Sequence, residues 1–459
     1  MSLATSQETA LVVIGAGPIG LAAAAQAQAR GVDAVVLEAG PSAGTSVRAW
    51  GHVRLFSPWR ELVDPVAEAL LDSTGWIAPD PASYPTGRDW AERYLQPLAD
   101  ALAATDQVDV RYSSRVTGVA RRGRDRLVDD GRDIEPFTVH VDGPGGAHLL
   151  SATAVVDASG TWSRPNPLGA DGLPALGEVD HAARTTYGIP DLDDQATADR
   201  YAGKHVVVAG TGASAHNVLV GLARLGAAHP GTRVSWLVRR AAAESAFGGG
   251  EGDQLVERGA LGLRAKAVAA SPLVRTHTGF RTRSVVTQRD DRLRLESLDG
   301  QVVEDVDEVV VVTGFRPDLS FLSEVRLDLD PVLSATRRLA PLVDPNVHSC
   351  GTVPPHGAAE LAHPEPGLFI TGMKSYGRAP SFLAMTGFEQ ARSVVAAIAG
   401  DHEAAARVDL VLPESGVCGG SGLFDEESGP ATGGGCCAPA PTQLHSFGDR
   451  GAIEAAGTG

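Results

Sequence analysis

Three glycines near the N-terminus have the spacing G-x-G-x-x-G that dinucleotide-binding turns use. Gly15, Gly17 and Gly20 lie between an apolar strand predicted over residues 10–14 and a helix predicted over residues 18–30. Gly15 permits the tight turn, Gly17 lets the backbone approach a pyrophosphate, and Gly20 lets the helix pack on the sheet. The free N–H groups at the helix start attract phosphate. The glycines therefore predict a nucleotide site.

Two further residues narrow this prediction. Pro18 opens the helix at a position that proline favours, and Glu38 ends the next predicted strand, over residues 33–37. The Glu38 carboxylate can accept hydrogen bonds from ribose hydroxyls and would repel a 2′-phosphate. The first unit therefore favours FAD or NAD over NADP.

A second strand–turn–helix unit begins near the middle of the chain. A predicted strand over residues 205–209 leads into Gly210, Gly212 and Ala215, which give G-x-G-x-x-A before another predicted helix. Ser214 stands inside this motif. The repeated pattern predicts a second dinucleotide site.

Cations replace the acid in this second unit. Its second strand is predicted over residues 233–238 and ends in Arg239 and Arg240, where the first unit has Glu38. Guanidinium groups suit a 2′-phosphate by charge and by geometry. The alternative is that the pair is a solvated strand end. We favour NADPH here, and two sites of opposite charge preference then imply FAD and NADPH.

Three segments elsewhere fit the flavin site. Each is an apolar strand followed by a turn of small residues, and the last turn leads into a helix predicted to begin near Pro380. The positive end of that helix would point at an electron-rich flavin pyrimidine. The residues predicted to bind FAD in these segments are Asp157, Gly160, Gly314, Gly372, Met373 and Ser381.

Size, charge and apolar runs exclude several classes of protein. The 459 residues suffice for two or three domains, and a formal net charge of -17 argues against nucleic acid or an anionic membrane as partner. The apolar runs are strand-length, and the N-terminus has no basic region followed by an apolar one. Four cysteines without framework spacing fit a reducing compartment. We therefore expect a cytoplasmic protein with a small-molecule substrate; no oligomeric state is predicted.

The motif order resembles that of the two-dinucleotide flavoproteins, and within them the flavin-containing monooxygenase group, over roughly residues 8–412. This resemblance implies an α/β fold of two Rossmann-like domains, with an NADPH domain inserted into an FAD domain. The implied boundaries are residues 1–165 and 309–412 for the FAD domain and 166–308 for the NADPH domain. Residues 413–459 are rich in Gly, Ala, Ser and Pro with little periodicity, which predicts a mostly disordered, Gly/Cys-rich C-terminal tail.

The fingerprint of this group is F-x-G-x-x-x-H with an aromatic residue four positions after the histidine. Gly177 and His181 match the fingerprint, whereas Ala175 and Thr185 replace its aromatic residues and Tyr187 lies two positions late. The resemblance implies a catalytic role for the histidine of this degenerate fingerprint.

The same resemblance places Arg48, Trp50 and Ser57 near the isoalloxazine ring as the rest of the catalytic set. Met373 departs from the group, because related flavoproteins often carry there an aspartate that binds the ribityl chain. Backbone groups of residues 372–374 are expected to replace that aspartate.

Three segments are more narrowly similar to the flavin-binding monooxygenases associated with bacterial arsenic resistance: HSCGTVPPHGAAELAHPEPG, GMKSYGRAPSFL and LPESGVC. The resemblance implies an NADPH-dependent FAD monooxygenase of arsenic detoxification. Such an enzyme would oxygenate a soft nucleophile, a trivalent arsenical or a sulfur compound, through a C4a-hydroperoxyflavin.

Three of the four cysteines lie close together near the C-terminus, at Cys418, Cys436 and Cys437. No cysteine lies between Met1 and Ser349, so neither nucleotide unit contains the pair that a flavin disulfide reductase places beside its flavin. Soft thiolates suit trivalent arsenic, and the resemblance favours metalloid ligation over an idle tail. Two alternatives stay open: a thiol-dependent flavin reductase using the tail cysteines, and a flavin-bound metalloid sensor or carrier without turnover.

Overall fold

The computed structural model describes residues 8–253, 255–345, 353–380 and 382–410, and its strands follow the apolar runs of the sequence. The strands are β1 (Glu8–Ile14), β2 (Ala34–Leu37), β3 (Val108–Arg111), β4 (Arg115–Arg121), β5 (Phe137–Gly143), β6 (Gly146–Asp157), β7 (Thr185–Tyr187), β8 (His205–Ala209), β9 (Arg233–Leu237), β10 (Val274–His277), β11 (Thr282–Thr287), β12 (Leu293–Ser297), β13 (Val302–Val306), β14 (Glu308–Val311) and β15 (Leu368–Ile370).

Helices connect and cover these strands. They are α1 (Pro18–Ala29), α2 (Thr45–Arg48), α3 (Pro65–Asp72), α4 (Gly87–Trp90), α5 (Gln96–Ala103), α6 (Gln195–Tyr201), α7 (Ala213–Ala228), α8 (Val256–Ala269), α9 (Ala340–Val343), α10 (Ala358–Leu361), α11 (Ala384–Ile398) and α12 (His402–Ala406). A π-helical segment, Ala91–Leu95, joins α4 to α5, and 3₁₀ turns include Glu244–Phe247, Gly250–Gly252 and Gly372–Tyr376.

The first sheet has the strand order β3-β2-β1-β6-β5-β4, and β15 also pairs with β6. Strands β3, β2, β1, β6 and β15 run parallel, so their carboxyl ends meet at one edge. In open parallel sheets this edge is where ligands bind. The turn after β1, the end of β6 and the turn after β15 therefore lie together, as the first nucleotide site requires.

The second sheet is inserted into the chain between β6 and β15. Its order is β10-β9-β8-β14-β7, with all strands parallel. A small antiparallel sheet, β11-β12-β13, shares a core with it. The predicted α/β fold with two Rossmann-like units, the second inserted in the first, is confirmed.

One strand lies in a different sheet from the one expected. β14 pairs with β8 from Glu308 to Val311, so hydrogen bonding places it in the second sheet. The boundary predicted at residues 308–309 would instead assign it to the second part of the FAD domain. The apolar run alone does not reveal its neighbour, because the buried strands of both parallel sheets are equally apolar.

Helices α1 and α11 pack against each other next to the first sheet. Each follows one of the turns that the sequence predicts to bind FAD. Helix α1 is almost wholly buried and rich in alanine, which allows close approach of α11. It begins at Pro18, as predicted, and ends at Ala29, where Gly31 has a positive φ of 67°. Packing of these two helices fixes where their N-termini point.

Strands β4 and β5 pair as an antiparallel hairpin, and most residues that connect them, 122–135, are exposed. Arg121 and Arg132 both pair with the buried carboxylate of Glu365, at 2.7 and 2.5 Å. Phe137 is fully buried under the Arg121 guanidinium. Two arginines of this hairpin are thus paired with a carboxylate inside the first domain, while its other charged residues stay at the surface.

Among the described residues, no helix combines the length and the apolar character needed to cross a membrane.

Candidate functional site

The first glycine turn is packed so tightly that two of its glycines admit no side chain. A Cβ on Gly20 would lie 1.9 Å from the carbonyl oxygen of Gly15, and one on Gly15 would lie 3.0 Å from the carbonyl oxygen of Ala158. Gly15 also has a positive φ of 100°. Gly17 differs, because no described atom lies within 4 Å of its added Cβ. The open side of Gly17 is the cradle that a pyrophosphate would fill.

Glu38 is attached to this turn. One carboxylate oxygen accepts a hydrogen bond from the N–H of Ala16, and the other accepts one from the N–H of Gly40, each at 2.8 Å. The half-buried carboxylate keeps further acceptor capacity. Glu38 is therefore held beside the pyrophosphate cradle, where ribose hydroxyls of a dinucleotide would lie.

A cleft of about 710 Å³ opens next to this turn, and we call it the flavin cleft. Pro18, Gly160, Gly372 and Met373 line it, as predicted for FAD. Its walls are largely apolar and include seven aromatic side chains: Trp50, Phe56, Trp90, Trp162, Phe315, Tyr376 and Phe382. Flat apolar walls beside a pyrophosphate cradle fit the two halves of FAD.

Asp157 does not line the cleft but lies directly behind its wall. Its carboxylate is fully buried and pairs with Lys374, whose Nζ is 2.6 Å from Oδ2. The neighbouring N–H of Gly372 donates to Oε1 of Gln390 at 2.7 Å. That amide is therefore already bonded within the protein, although the backbone of residues 372–374 was expected to replace the missing aspartate.

Helix α11 begins later than the sequence suggested. Its N-cap is Leu383, in an extended conformation, so Pro380 lies in the preceding turn. Phe382 holds that turn by packing edge-on against Tyr376, with ring centroids 4.9 Å apart. Leu383 and Ala384 line the flavin cleft, which puts the helix start at the cleft. Ser381 lies outside the described residues.

The four residues predicted to be catalytic lie in different places. Trp50 and Ser57 line the flavin cleft. Arg48 lies behind it, 3.6 Å from a carboxylate oxygen of Glu92 and donating to the backbone of Ala43. His181 lines neither cleft and faces Thr287 at 3.5 Å on the small antiparallel sheet. The catalytic roles stay predictions.

Glu178, inside the fingerprint segment, is a residue that the sequence analysis missed. Its buried carboxylate accepts from the N–H groups of Leu168 and Ala175 and from the hydroxyl of Tyr187. Burial and then this carboxylate raise the pKa of Tyr187. The buried Glu178 carboxylate thus holds the fingerprint segment by accepting three hydrogen bonds. No local feature of the sequence predicts this arrangement.

The second glycine turn repeats the construction of the first. A Cβ on Gly210 would lie 2.4 Å from the carbonyl oxygen of Val312, whereas Gly212 has open space beside it. Ala215 is fully buried, as the third position of the motif requires. Trp236 fixes the turn by donating from Nε1 to the carbonyl of Gly210 at 2.8 Å.

A second cleft, of about 460 Å³, lies at this turn, and we call it the nucleotide cleft. Gly210, Gly212, Ser214, Arg239 and Arg240 line it, as predicted. Gly314 lines this cleft too and not the flavin cleft, because it follows β14 of the second sheet.

Arg239 faces the nucleotide cleft with its guanidinium unengaged. It makes no hydrogen bond or ion pair with any other residue in the described part of the chain. Partial burial, and secondly the charge of Arg240, lower its pKa from the ordinary value. A guanidinium in that position is open to an anion from outside the protein.

His216 lines the nucleotide cleft and is another residue that the sequence analysis did not identify. It is 6% exposed, and its ring stacks on Phe247 with centroids 5.8 Å apart. Burial lowers its pKa to about 4, so the ring is neutral at neutral pH. Its Nε2 has no hydrogen-bond partner among the described residues.

The two clefts share part of their walls: Ala213, Ser214, Arg258 and Pro380 line both. The buried carboxylate of Asp253 orients Arg258, with Nε to Oδ2 at 3.0 Å and Nη2 to Oδ1 at 2.9 Å. We call this shared wall the junction. The two clefts therefore lie side by side at the junction.

Two glycines of α8 allow the segment that contains Asp253 to pack closely enough on this helix to bind Arg258. A Cβ on Gly259 would lie 2.2 Å from the carbonyl oxygen of Gly250, and one on Gly262 would lie 2.1 Å from that of Phe247. The segment that supplies Asp253 therefore packs directly on the helix. The sequence shows these glycines of α8, but only the fold shows which backbone carbonyl groups they contact.

The predicted metalloid ligands Cys418, Cys436 and Cys437 lie outside the described residues. Within the described ranges no group of three or more His, Cys, Asp or Glu side chains is arranged to hold a metal ion. The flavin and nucleotide clefts contain no cysteine among their described lining residues.

Comparison with known proteins assigns the family. The model of the pyridine nucleotide-disulphide oxidoreductase family matches residues 12–350. The chain belongs to this family. Because the residues of the two clefts also fit both nucleotides, the protein is an oxidoreductase that uses FAD and NAD(P)H.

Individual relatives are more distant. An opine oxidase subunit from Agrobacterium tumefaciens (strain Ach5) is 31% identical over 166 residues, which are 36% of this chain and 26% of that one. The match thus spans about a quarter of that curated relative. The corresponding opine oxidase subunit from Rhizobium meliloti is 28% identical over 158 residues, 34% of this chain and 24% of that one.

Solved structures show the same fold at low identity. Bacillithiol disulfide reductase Bdr from Bacillus cereus has a TM-score of 0.62 and 20% identity, covering 86% of this chain and 99% of that one. A flavin-containing monooxygenase from Stenotrophomonas maltophilia has a TM-score of 0.51 and 19% identity, covering 86% and 98%. Reductases and monooxygenases therefore share this architecture.

Two glycine substitutions should each impair one cofactor. Gly17 and Gly212 have φ of -83° and -87°, which alanine tolerates, and no described atom lies within 4 Å of the added Cβ. Gly17→Ala should fold normally and lose FAD occupancy, whereas Gly212→Ala should keep FAD and raise KM for NADPH about tenfold or more, the equivalent of ~1.4 kcal/mol. Absorbance of bound flavin and steady-state kinetics measure both.

Gly20→Ala serves as the contrasting variant. Its Cβ would meet the Gly15 carbonyl, so it should lower the yield of folded protein. Unchanged FAD occupancy in Gly17→Ala together with unchanged KM in Gly212→Ala would contradict the assignment of the two cradles.

Proposed function

We propose that the protein is an NADPH-dependent, FAD-containing monooxygenase-like oxidoreductase that oxygenates a soft nucleophile. The observation that carries the proposal is the junction, where the nucleotide cleft adjoins the flavin cleft, with no cysteine among the described residues of either wall. When bound, FAD supplies the redox chemistry, accepting hydride from NADPH and passing electrons to oxygen. The protein binds, orients and shields these reactants.

The lack of a thiol among the described lining residues of the flavin cleft favours oxygen over a disulfide as electron acceptor. A flavin disulfide reductase passes electrons through a cysteine pair next to the flavin. Here the cleft lining around the first turn is Pro18 and Ile19, and the sequence has no cysteine before residue 350. The tail cysteines keep a thiol-dependent reductase as the alternative.

The choice of NADPH rests on the nucleotide cleft. Arg239 and Arg240 stand at the end of β9, where an acid would favour NAD. Both line the cleft, and Arg239 has no partner in the described structure. A 2′-phosphate would supply the missing counter-charge.

The substrate is proposed from the sequence resemblance. A trivalent arsenical is a soft nucleophile that a flavin monooxygenase can oxygenate, and Cys418, Cys436 and Cys437 would bind it before oxygen transfer. We place this reaction in the cytoplasm. The name of the opine oxidase relatives offers opines as the competing substrate class, to be tested beside arsenicals.

Oxygen dependence is the first test of this function. NADPH consumption by the full chain, with arsenite and methylarsenite as substrates, should require oxygen and yield the pentavalent product. The double variant Cys436→Ser/Cys437→Ser should still consume NADPH. Consumption that persists after oxygen removal, or that vanishes in the double variant, would favour the thiol-dependent reductase.

Arg239→Ser should change the preference between the two reduced nucleotides. Loss of a charge-assisted contact of about 1.5–3 kcal/mol should raise KM for NADPH by roughly tenfold to a hundredfold and leave KM for NADH unchanged. Arg233→Ser, at the exposed start of the same strand, is the matched control. An equal rise in KM for both nucleotides would remove the 2′-phosphate assignment.

Arg258→Met should slow reduction of the flavin by saturating NADPH. Arg258 faces the junction, so its loss should disorder the nucleotide where it crosses and lower the anaerobic reduction rate about tenfold or more, as misplacement of reactants does. Arg264→Met, at an exposed position on the same helix, should reduce at the normal rate. Normal reduction in Arg258→Met would show that the junction arginine does not position the nucleotide.

A further inference from the structure

Lys374 is one of three lysines in the chain and is buried behind the wall of the flavin cleft. Its side chain is 1% exposed, and that of its partner Asp157 is 0% exposed. A buried lysine is rare unless it is paired. Neither the binding of NADPH nor the reaction with oxygen, as described above, uses this pair.

The Lys374 ammonium makes two hydrogen bonds and one cation–π contact with described residues. Nζ lies 2.6 Å from Oδ2 of Asp157 and donates to Oγ of Ser159 at 3.0 Å. It also lies 4.4 Å from the ring centroid of Phe321. Ser159 in turn donates to Oδ1 of Asp157, from its hydroxyl at 2.6 Å and from its N–H at 3.0 Å.

This network connects three strand ends. Asp157 is the last residue of β6 and lies in register with Ile14 on one side and Ile370 on the other. Its carbonyl accepts from the N–H of Thr371, and the N–H of Ala158 donates to Ile14, each at 2.9 Å. Lys374 thus ties the turn after β15 to the loop after β6.

Both connected segments form wall of the flavin cleft. Ala158 and Gly160, which flank Ser159, line it, and so do Gly372 and Met373, just before Lys374. The loop after β6 also touches the pyrophosphate turn, because a Cβ on Gly15 would lie 3.0 Å from both the Ala158 carbonyl oxygen and Cα of Ser159. A shift of this loop would therefore move the cradle of the cofactor.

Stability alone gives little reason for such a pair. Replacing a buried ion pair by uncharged residues is often neutral or stabilising, whereas removal of one partner is strongly destabilising. A hydrogen-bonded charge pair does fix direction and distance more strictly than apolar contact. Its value here lies in the geometry that it imposes on the two loops.

We infer that Lys374 and Asp157 are positioning residues for FAD: their ion pair holds the loop 158–160 and the turn 372–374 at the separation that the cofactor needs. The pair acts through these backbone segments and does not itself line the cleft. The inference concerns how FAD is held, and it stands apart from the identity of the nucleotide donor or of the final substrate.

A comparison of single and double variants tests this role. Full-length holoprotein is diluted, and released flavin fluorescence gives the Kd for FAD, while thermal unfolding of the apoprotein gives Tm. Lys374→Met should weaken FAD binding at least tenfold and lower Tm, because it leaves Asp157 charged and unpaired. Lys374→Met/Asp157→Asn should recover Tm, since the amide oxygen introduced at position 157 still accepts from Ser159, but FAD binding should stay at least tenfold weaker than normal.

Lys266→Met, which removes an exposed lysine from α8, is the matched control and should change neither quantity. If Lys374→Met does not fold, Asp157→Asn alone replaces it, with weaker FAD binding expected. A double variant that binds FAD with the normal Kd would overturn the inference, because the pair would then be structural only. Each outcome is read without NADPH or oxygen, so it is distinguishable from failure of the proposed reaction.

Discussion

Two backbone contacts that admit no side chain set the geometry of the whole site. Gly20 of α1 rests on the carbonyl of Gly15, and Gly210 rests on the carbonyl of Val312 at the end of β14. The first contact packs α1 on its own glycine turn, and the second holds the other glycine turn against the residue that follows β14. The partial positive charge of the helix and the free N–H groups then form an anion site without any charged side chain. The glycines at positions 17 and 212 remain open for the ligand.

The remaining side chains give each cradle its selectivity. Glu38 is tied to the first turn by Ala16 and Gly40, so an acceptor faces the ribose position. Arg239 faces the second cleft without a partner in the described structure, so a donor with positive charge faces the corresponding position there. The two clefts meet at the junction, where Asp253 orients Arg258. This arrangement brings two nucleotides together, and none of the described residues lining the clefts carries a thiol.

The sequence predicted what is local and failed where the contact is distant. Both strand–turn–helix units could be placed to within a few residues, because glycine spacing and apolar runs determine them. The pairs Lys374–Asp157 and Arg121–Glu365 join residues 217 and 244 positions apart, and no periodicity reports such contacts. The sheet that β14 joins and the start of α11 at Ala384 depend on tertiary packing in the same way. The predicted nucleotide-binding residues of the turns could be identified from the sequence. Arg258, Glu178 and His216 could be identified only from the structure.

The central claim is that hydride passes directly across the junction from one nucleotide to the other. Anaerobic stopped-flow mixing of NADPH with the full chain carrying Cys418→Ser, Cys436→Ser and Cys437→Ser tests it most directly. The account predicts that flavin absorbance near 450 nm bleaches at the rate of the unaltered protein, since the cofactor reports its own reduction. If NADPH bleaches the flavin of the unaltered protein but not that of the triple variant, the account is contradicted.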